Sequence, residues 1–439
     1  MSKINIYEKD ITLRRSPYDV TQNAVYIPGF AADGKAHEVT LYESVEAFQN
    51  TLGDKPYKFD SDQADYAYIK ADTYDLSYVY ARELLRLGMK VYYEAFSEGE
   101  IGTAQKHDGA IKSLYAGIQD AFDLTKSKIV DRNTYNIKFI TTGAYQSFDV
   151  TNLPEAMLKL AATRGDCVAV IDYDKNQEST TYSDITKIWT AVNTKFANSI
   201  DIITGPSEYK EDARNYGTMI APWGKFTVGN RFENIEYKES DNTNIVTLPG
   251  SFAYLTSFAN SAQTNPNFYA TAGVTRGIPP TLIETTIIVN GTQAEKVQPD
   301  KQDSSNANGI AINPITRIDP YGYTIWGNRT LHFNTTELVA SSFLNIRILS
   351  SDVKKLVRNA AFKLNFEIKS EILWLNFKAL ISPELDKLIA KNGLEKYKLT
   401  QVDTNDRGKV KAIITLFCTY AVESWDIEID LTDSYVTVE

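Results

Sequence analysis

A chain of 439 residues, 43% hydrophobic and 23% charged, has the composition of a globular protein and the length of roughly two to four domains. Its net charge of −10 supplies no overall positive field, which argues against a general nucleic-acid binder and against a protein of anionic membrane surfaces. The two cysteines, Cys167 and Cys418, lie in apolar strand-like runs and read as buried free thiols without disulfide or metal spacing. The opening MSKINIYEKD lacks the apolar centre of a signal peptide, and no run is long and apolar enough to span a membrane. A soluble protein made in the cytosol is the expectation. Its 27 tyrosines suit strands and protein–protein contacts alike.

Residues 1–22 form a thin, basic arm in which Ile4 and Ile6, then Ile11 and Leu13, alternate like short β pieces. Residues 23–100 read as a small N-terminal α/β or β domain. It has strands at Asn23–Phe30, Glu38–Tyr42 and Lys90–Phe96, a helix capped by Ser44, and another capped by Asp75 and stopped at Gly88. Residues 101–331 alternate regularly. Helices are expected at Gln105–Phe122, Leu153–Ala162, Asp184–Phe196 and Pro249–Ala262, and strands at Tyr135–Thr141, Asp166–Asp172 and Ile200–Thr204. That alternation, with the almost continuous apolar run DCVAVID, predicts a mostly parallel sheet buried on both faces. Residues 290–309 are polar and read as a surface loop with room for one helical turn at Ala294–Val297.

Asn313–Leu331 reads as a hairpin. Ile315 and Tyr323–Trp326 are its strands and Asp319-Pro320-Tyr321-Gly322 its turn. It is read as the junction that closes the α/β core and aims the next helix, with Arg317 and Arg329 as structural ion-pair partners. Residues 332–422 form a C-terminal unit: a helix from Leu344 to about Leu375 with Ile346, Leu349, Val353, Leu356, Ala360, Leu364 and Ile368 inward, a second helix at Pro383–Lys391, and strands at Tyr397–Val402 and Val410–Tyr420. Residues 423–439 form a terminal arm with a strand at Trp425–Leu431.

A search for chemistry finds little. No Gly-rich phosphate loop, dinucleotide fingerprint or HExxH is present. The three histidines, His37, His107 and His332, lie in different units and read as structural or surface residues. Asp403–Gly408 hints at a calcium loop, but Arg407 and Ile414 stand at ligand positions, so a hairpin turn is the better reading. Asp60-Asp62 and Asp172-Asp174 are carboxylate pairs with no converging partner. No catalytic residue, cofactor or metal ligand is assigned.

Two patterns remain. Between Asn345 and Ser370 the polar positions carry Arg347, Lys354, Lys355, Arg358, Lys363 and Lys369 against Asp352 and Glu367, six positive charges to two negative. The readings are a solvated helix face or a basic stripe that meets an acidic protein partner. In the terminal arm, Trp425, Ile427, Ile429 and Leu431 alternate with Asp426, Glu428 and Asp430, giving one apolar and one acidic face. Both termini are thus strand-like and of opposite charge. They pair within their own domain or complete a neighbour's sheet edge.

The order of several short motifs resembles the tail sheath proteins of contractile bacteriophages and related contractile injection systems. Ile325-Trp326-Gly327-Asn328-Arg329-Thr330-Leu331 is similar to that family's [VI]WG-x-RT-L strand, and Phe343-Leu344-Asn345-Ile346-Arg347 to the start of its long helix, with Ile348 in place of a second arginine. Met219–Trp223, Pro249-Gly250-Ser251 and Tyr269–Gly277 resemble its strand-to-PW element, its P-x-[GS] helix start and its APAG-x-x-RG loop. The resemblance implies a mixed α/β fold: a subtilisin-like core without a catalytic triad, and a smaller α+β C-terminal domain whose sheet is completed by exchanged arms. It implies a non-enzymatic sheath subunit that polymerises helically around an inner tail tube and contracts to drive the tube through a cell envelope. The partners implied are many copies of itself, the tube, baseplate and tail terminator proteins, with no nucleic acid and no membrane insertion. The location implied is a phage tail or equivalent injection particle assembled in the bacterial cytoplasm. In that frame Arg347, Lys354, Lys355 and Arg358 form a tube-facing helix face, and Ile4, Ile6, Trp425, Ile427, Ile429 and Leu431 belong to inter-subunit arms. The rival readings are an α/β hydrolase-like enzyme with an unrecognised site and a static capsid-like or surface-layer subunit.

Overall fold

The computed structural model describes residues 22–31, 38–62, 64–65, 69–70, 72–96, 109–203, 210–229, 244–298, 309–332, 339–402 and 409–422. Its elements run β1 (Ala24–Phe30), β2 (Val39–Tyr42), α1 (Val45–Leu52), α2 (Leu76–Arg86), β3 (Lys90–Phe96), α3 (Gly109–Phe122), β4 (Phe139–Ile140), α4 (Leu153–Arg164), β5 (Val168–Ile171), α5 (Ile185–Lys195), β6 (Asp201–Ile203), β7 (Lys210–Asp212), β8 (Gly217–Ala221) and β9 (Gly224–Thr227). They continue with β10 (Ile245–Leu248), α6 (Gly250–Ala262), α7 (Gly273–Arg276), β11 (Leu282–Thr285), α8 (Gly291–Lys296), β12 (Asn313–Ile318), β13 (Gly322–Ile325), α9 (Leu344–Leu364), α10 (Glu371–Ala390), β14 (Leu394–Val402) and β15 (Lys411–Cys418).

An eight-stranded sheet in the order β13-β12-β8-β5-β4-β1-β3-β2 organises the chain. The six strands from β12 to β3 are parallel to one another, and an antiparallel strand closes each edge. Residue alternation assigns the two faces. Ala169 and Ile171 of β5, like Tyr26 and Phe30 of β1, pack against α3, α4 and α5 through Leu114, Leu158 and Ile188. Val168 and Val170, with Val25 and Ile27, pack against α2, α6 and the start of α9 through Val79, Phe252 and Leu344. This is the three-layer arrangement expected of strands that are apolar on both sides. The sequence boundary at residue 100 has no counterpart in the sheet, because residues 23–100 supply β1, β2 and β3 and β1 lies in its interior. Sequence patterning defines strands and helices but does not tell which strands share a sheet.

Local chemistry sets the element ends. Ser44 and Asp184 cap α1 and α5 through their side-chain oxygens, Pro154 occupies the first turn of α4, and Gly165 ends α4 in the left-handed region at φ 71°. The polar stretch after residue 290 forms more helix than one turn, because Asn290 and Gln293 complete a capping box at the start of α8. At the start of α6, a Cβ on Gly250 would lie 2.0 Å from the Ile220 carbonyl oxygen of β8. Backbone meets backbone there, so only glycine fits. Gly250→Ala is expected to lower stability by about 1–3 kcal/mol, read as a shift of the urea midpoint. An unshifted midpoint would show that α6 can move off the sheet without cost.

Candidate functional site

The hairpin at Asn313–Leu331 is formed as read, and it carries the chain from the sheet into the C-terminal unit. β12 pairs in parallel with β8, and β13 returns antiparallel along β12 with Ile315 opposite Ile325. Buried Asn313 pins the next segment. Its Oδ1 accepts the Arg329 N–H at 2.8 Å, and its Nδ2 donates to the Arg329 carbonyl and to Thr218 Oγ1, each at 2.9 Å. Asn328 then engages Asn345 twice, donating through Nδ2 at 2.7 Å and accepting the Asn345 N–H at 3.2 Å. These bonds aim the first turn of α9. Arg317 makes an exposed pair with Asp319 at 3.0 Å, while the Arg329 guanidinium lies 4.6 Å from the centroid of the Phe343 ring.

The basic stripe of this helix divides between the α/β core and solvent. Arg347 and Lys355 are buried against the α/β core, Arg358 is half-buried, and Lys354 and Lys363 are exposed, while all four residues read as tube-facing have partners within the chain. The Arg347 guanidinium sits 4.1 Å over the Tyr216 ring, and the Lys354 ammonium reaches the Tyr216 hydroxyl at 2.7 Å. Lys355, 2% exposed, donates to the Ile137 carbonyl at 2.7 Å, and burial pushes its amine down to about 8. Arg358 pairs with Asp166 at 2.8 Å. Asp166 is 1% exposed and also receives Arg164 Nε at 3.0 Å. Core-side Lys138 answers Asp352 of α9 at 2.8 Å. The sequence pattern could not show this, since a polar residue on a helix faces solvent unless another element supplies its partners. Here Asp166, Tyr216 and a free carbonyl do so.

α9 also stops earlier than its periodicity suggests. Asn365 ends it and Phe366 turns in the left-handed region at φ 70°. Ser370 then caps α10, accepting the Leu373 N–H. Ile368, expected inward, is 84% exposed. α10 runs unbroken through Pro383, where the sequence had suggested a helix start. Both Pro383 and Ala379, whose carbonyl loses its partner, lie on the solvent side, which limits the cost. The end of this helical pair exposes Phe362, Phe366, Ile368, Ile372 and Leu375 together, a clustering of large apolar side chains that marks interaction surfaces. Beyond it, β14 and β15 form an antiparallel pair that joins no other strand among the described residues. Leu394 and Ile414 of this pair pack on Val353, Ala360 and Leu385.

Of the histidines only His332 lies within the described residues. It stands 3.4 Å from Asp212, and burial lowers its pKa. The Asp403–Gly408 turn and the arm residues Ile4, Ile6, Trp425, Ile427, Ile429 and Leu431 lie outside the described residues. Among the described residues no group of three potential metal ligands occurs. One constellation went unseen in the sequence. Asp172, at the carboxyl end of β5, accepts the Ser251 N–H at 3.0 Å, and Tyr80 donates to Ser251 Oγ at 3.0 Å. All three are sealed from solvent. Asp172 serves as an anchor for the α6 N-terminus, and only the fold brings the three together. Its Oδ2 has no hydrogen-bond partner, and burial pushes the carboxyl up to about 7.

The comparisons with known proteins follow this geometry. A chain of the contracted anti-feeding prophage (AFP) baseplate matches at TM-score 0.61 and 15% identity, covering 98% of this chain and 97% of that one. The PVC extracellular contractile injection system, solved as a sheath complex in the contracted state, matches at 0.55 and 14%, covering 98% of both chains. The AFP helical sheath in its contracted state matches at 0.54 and 14%, covering 98% and 100%. The chain has the contractile-sheath fold. No protein-family model and no curated protein matches the sequence, so the likeness is one of architecture. The sheath fold here comprises the eight-stranded sheet, the pinned hairpin and the helix–hairpin unit, and its cover extends over nearly the whole chain.

Two measurements probe the seam and the anchor. Asp166→Asn leaves Arg164 and Arg358 without a counter-charge, and the loss is expected at about 3–5 kcal/mol by chemical denaturation. A loss under about 1 kcal/mol would mean that the pairs are effectively solvated. Asp172 binds its proton more tightly folded than unfolded, where its ordinary value is 3.8. Folding stability therefore falls as pH rises from near 4 through about 7, and the full destabilisation is present above that. Asp172→Asn should remove this slope, read as urea midpoints between pH 5 and pH 7. An identical slope in the variant would contradict the assignment.

Proposed function

We propose that the chain is a structural subunit of a contractile sheath, assembling helically in many copies around an inner tube and contracting to drive that tube through a cell envelope. The observation that carries this is the sheath fold spanning 98% of the chain. The β14–β15 pair, which joins no further strand among the described residues, and the exposed apolar end of the α9–α10 hairpin support it, since each is a surface that an isolated protein gains nothing by keeping free. In this reading the core has the subtilisin-like topology implied by the motifs, without its chemistry. The sealing of the Asp172–Ser251–Tyr80 cluster supports a structural role over the hydrolase alternative. Contraction draws on the free-energy difference between two packings of the same subunit.

The finer roles belong to the same proposal. The arms at 1–22 and 423–439, with Ile4, Ile6, Trp425, Ile427, Ile429 and Leu431, add as strands to neighbours and keep the network connected while subunits slide. The tube-directed surface is the exposed end around Phe366 and Ile372, because Arg347, Lys355 and Arg358 are committed to the seam. Baseplate and terminator proteins bound the polymer, and the particle is a phage tail or related injection device assembled in the bacterial cytoplasm. Deleting residues 1–15 or 424–439 is expected to leave a folded protein that no longer forms long tubes in electron micrographs. Tubes of normal length from either truncation would remove the arm mechanism.

A further inference from the structure

α9 lies across the amino ends of the parallel strands. Lys355 reaches the Ile137 carbonyl just before β4, Arg358 reaches Asp166 just before β5, and Lys354 reaches Tyr216 just before β8. The unit built on α9, residues 344–418, has fourteen lysines and arginines against eight carboxylates, a net charge of +6. The whole chain carries −10, so its other residues together carry −16. Leu399, Ile414 and Leu416 turn one face of the β14–β15 hairpin onto α9 and α10. The opposite face carries exposed Lys396, Lys398 and Lys411 beside Ile413 and Phe417, which are 48% and 40% exposed. The Lys396 ammonium lies 4.5 Å from the centroid of the Phe417 ring. Glu395, at a bulge, is the one carboxylate of these two strands.

The carboxyl ends of the strands have the opposite sign. Segments 141–152 and 172–184 follow β4 and β5 there. Segment 53–75 joins them, with the rings of Tyr57 and Phe59 at 4.2 and 5.7 Å from Phe30 at the end of β1. Asp75 ties the segments together, accepting the Phe30 N–H at 2.7 Å and the Tyr145 hydroxyl at 2.6 Å. Across the three segments nine carboxylates reach solvent against four lysines, with Asp60, Asp62, Asp65 and Asp149 among the exposed ones. At the amino ends, segment 120–132 holds three charges of each sign. The subunit is therefore polarised along its strands, acidic at one end and basic at the other.

We propose that copies of the chain associate head to tail, the lysine face of one hairpin docking on the acidic carboxyl-end surface of the next copy. The inference rests on the sheath reading above and goes beyond it by naming the two surfaces that meet. Charge complementarity selects the occupant. Two lysine faces repel each other, as do two acidic ends, so the contact joins unlike surfaces. A contact of that kind propagates into an open helix when its rotation does not close a ring. Ile413 and Phe417 lie within the lysine face and leave water when it docks, which adds an apolar contribution. The charges set orientation and approach, and salt screens them over about 10 Å at 0.1 M.

The test is charge reversal in the full chain. One variant carries Lys396→Glu, Lys398→Glu and Lys411→Glu, which makes both surfaces acidic. A second carries Asp54→Lys, Asp60→Lys, Asp62→Lys and Asp65→Lys, which makes both basic. All seven positions are exposed, so thermal unfolding is expected to match that of the unmodified chain. Assembly is followed at low salt by light scattering and electron microscopy. Each variant alone is expected to assemble at least about tenfold more slowly than the unmodified chain. An equimolar mixture is expected to recover, because each reversed surface then meets its complement on the other variant. A mixture as slow as its components overturns the proposal. Single variants that form helical particles at the unmodified rate also overturn it, and leave the sheath reading standing. Should reversal unfold the hairpin, a variant with Lys396→Gln, Lys398→Gln and Lys411→Gln replaces it. That variant is expected to flatten the salt dependence of assembly, and an unchanged dependence overturns the proposal. Failure of the unmodified chain to form helical particles removes the sheath reading, and this proposal with it.

Discussion

The constraint on which the rest depends is the electrostatics of α9. Arg347, Lys355 and Arg358 are folded against a core of low polarity, where an unpaired charge is costly. Asp166 is the counter-charge that makes this tolerable, holding Arg164 from its own segment and Arg358 from the helix. Around it, Lys355 uses a backbone carbonyl, Lys138 and Asp352 pair in the reverse sense, and Tyr216 receives Arg347 and Lys354 on its ring and hydroxyl. A seam of this kind specifies one register. A slip of α9 by a single turn would strand several buried charges at once, whereas a purely apolar seam would tolerate it. The C-terminal unit is thereby joined to the α/β core as a defined extension.

Under the proposed sheath reading, rigid joining has a mechanical meaning, since such a subunit moves as a body. In that reading the parallel sheet supplies the mass, the Asn313-pinned hairpin the direction, and the seam the path for force between them. What is left exposed is an apolar helical end, and the β14–β15 hairpin pairs with no further strand among the described residues. Contacts that must exchange or slide belong at such surfaces. Contacts that must hold belong in buried networks whose charges are paired. The distribution of polar groups in this chain follows that division.

Much of the architecture was legible in the residues. DCVAVID is apolar at nearly every position because β5 is covered on both faces, and the Asp-Pro-Tyr-Gly turn sits where turn chemistry places it. The parts that misled share one cause, the dependence of a residue's environment on distant segments. Ile368 continued the helical period but fell beyond a break made by Phe366 and Ser370. Pro383 suggested a helix start and lies inside α10, because its solvent-side position makes the missing hydrogen bond cheap. The basic stripe looked solvated until Asp166, about 190 positions earlier in the chain, was brought against it. The Asp172–Ser251–Tyr80 anchor joins three segments that no local pattern connects.

Sheath-like assembly is the claim on which the functional reading stands. Its most direct test is electron cryomicroscopy of the purified full-length chain over a range of concentration and ionic strength. Hollow helical tubes whose subunits superpose on this fold, with the α9 seam intact and the β14–β15 pair extended by strands from neighbours, are the predicted result. A population that stays monomeric and compact under all those conditions, or flat lattices with a single packing, would contradict it.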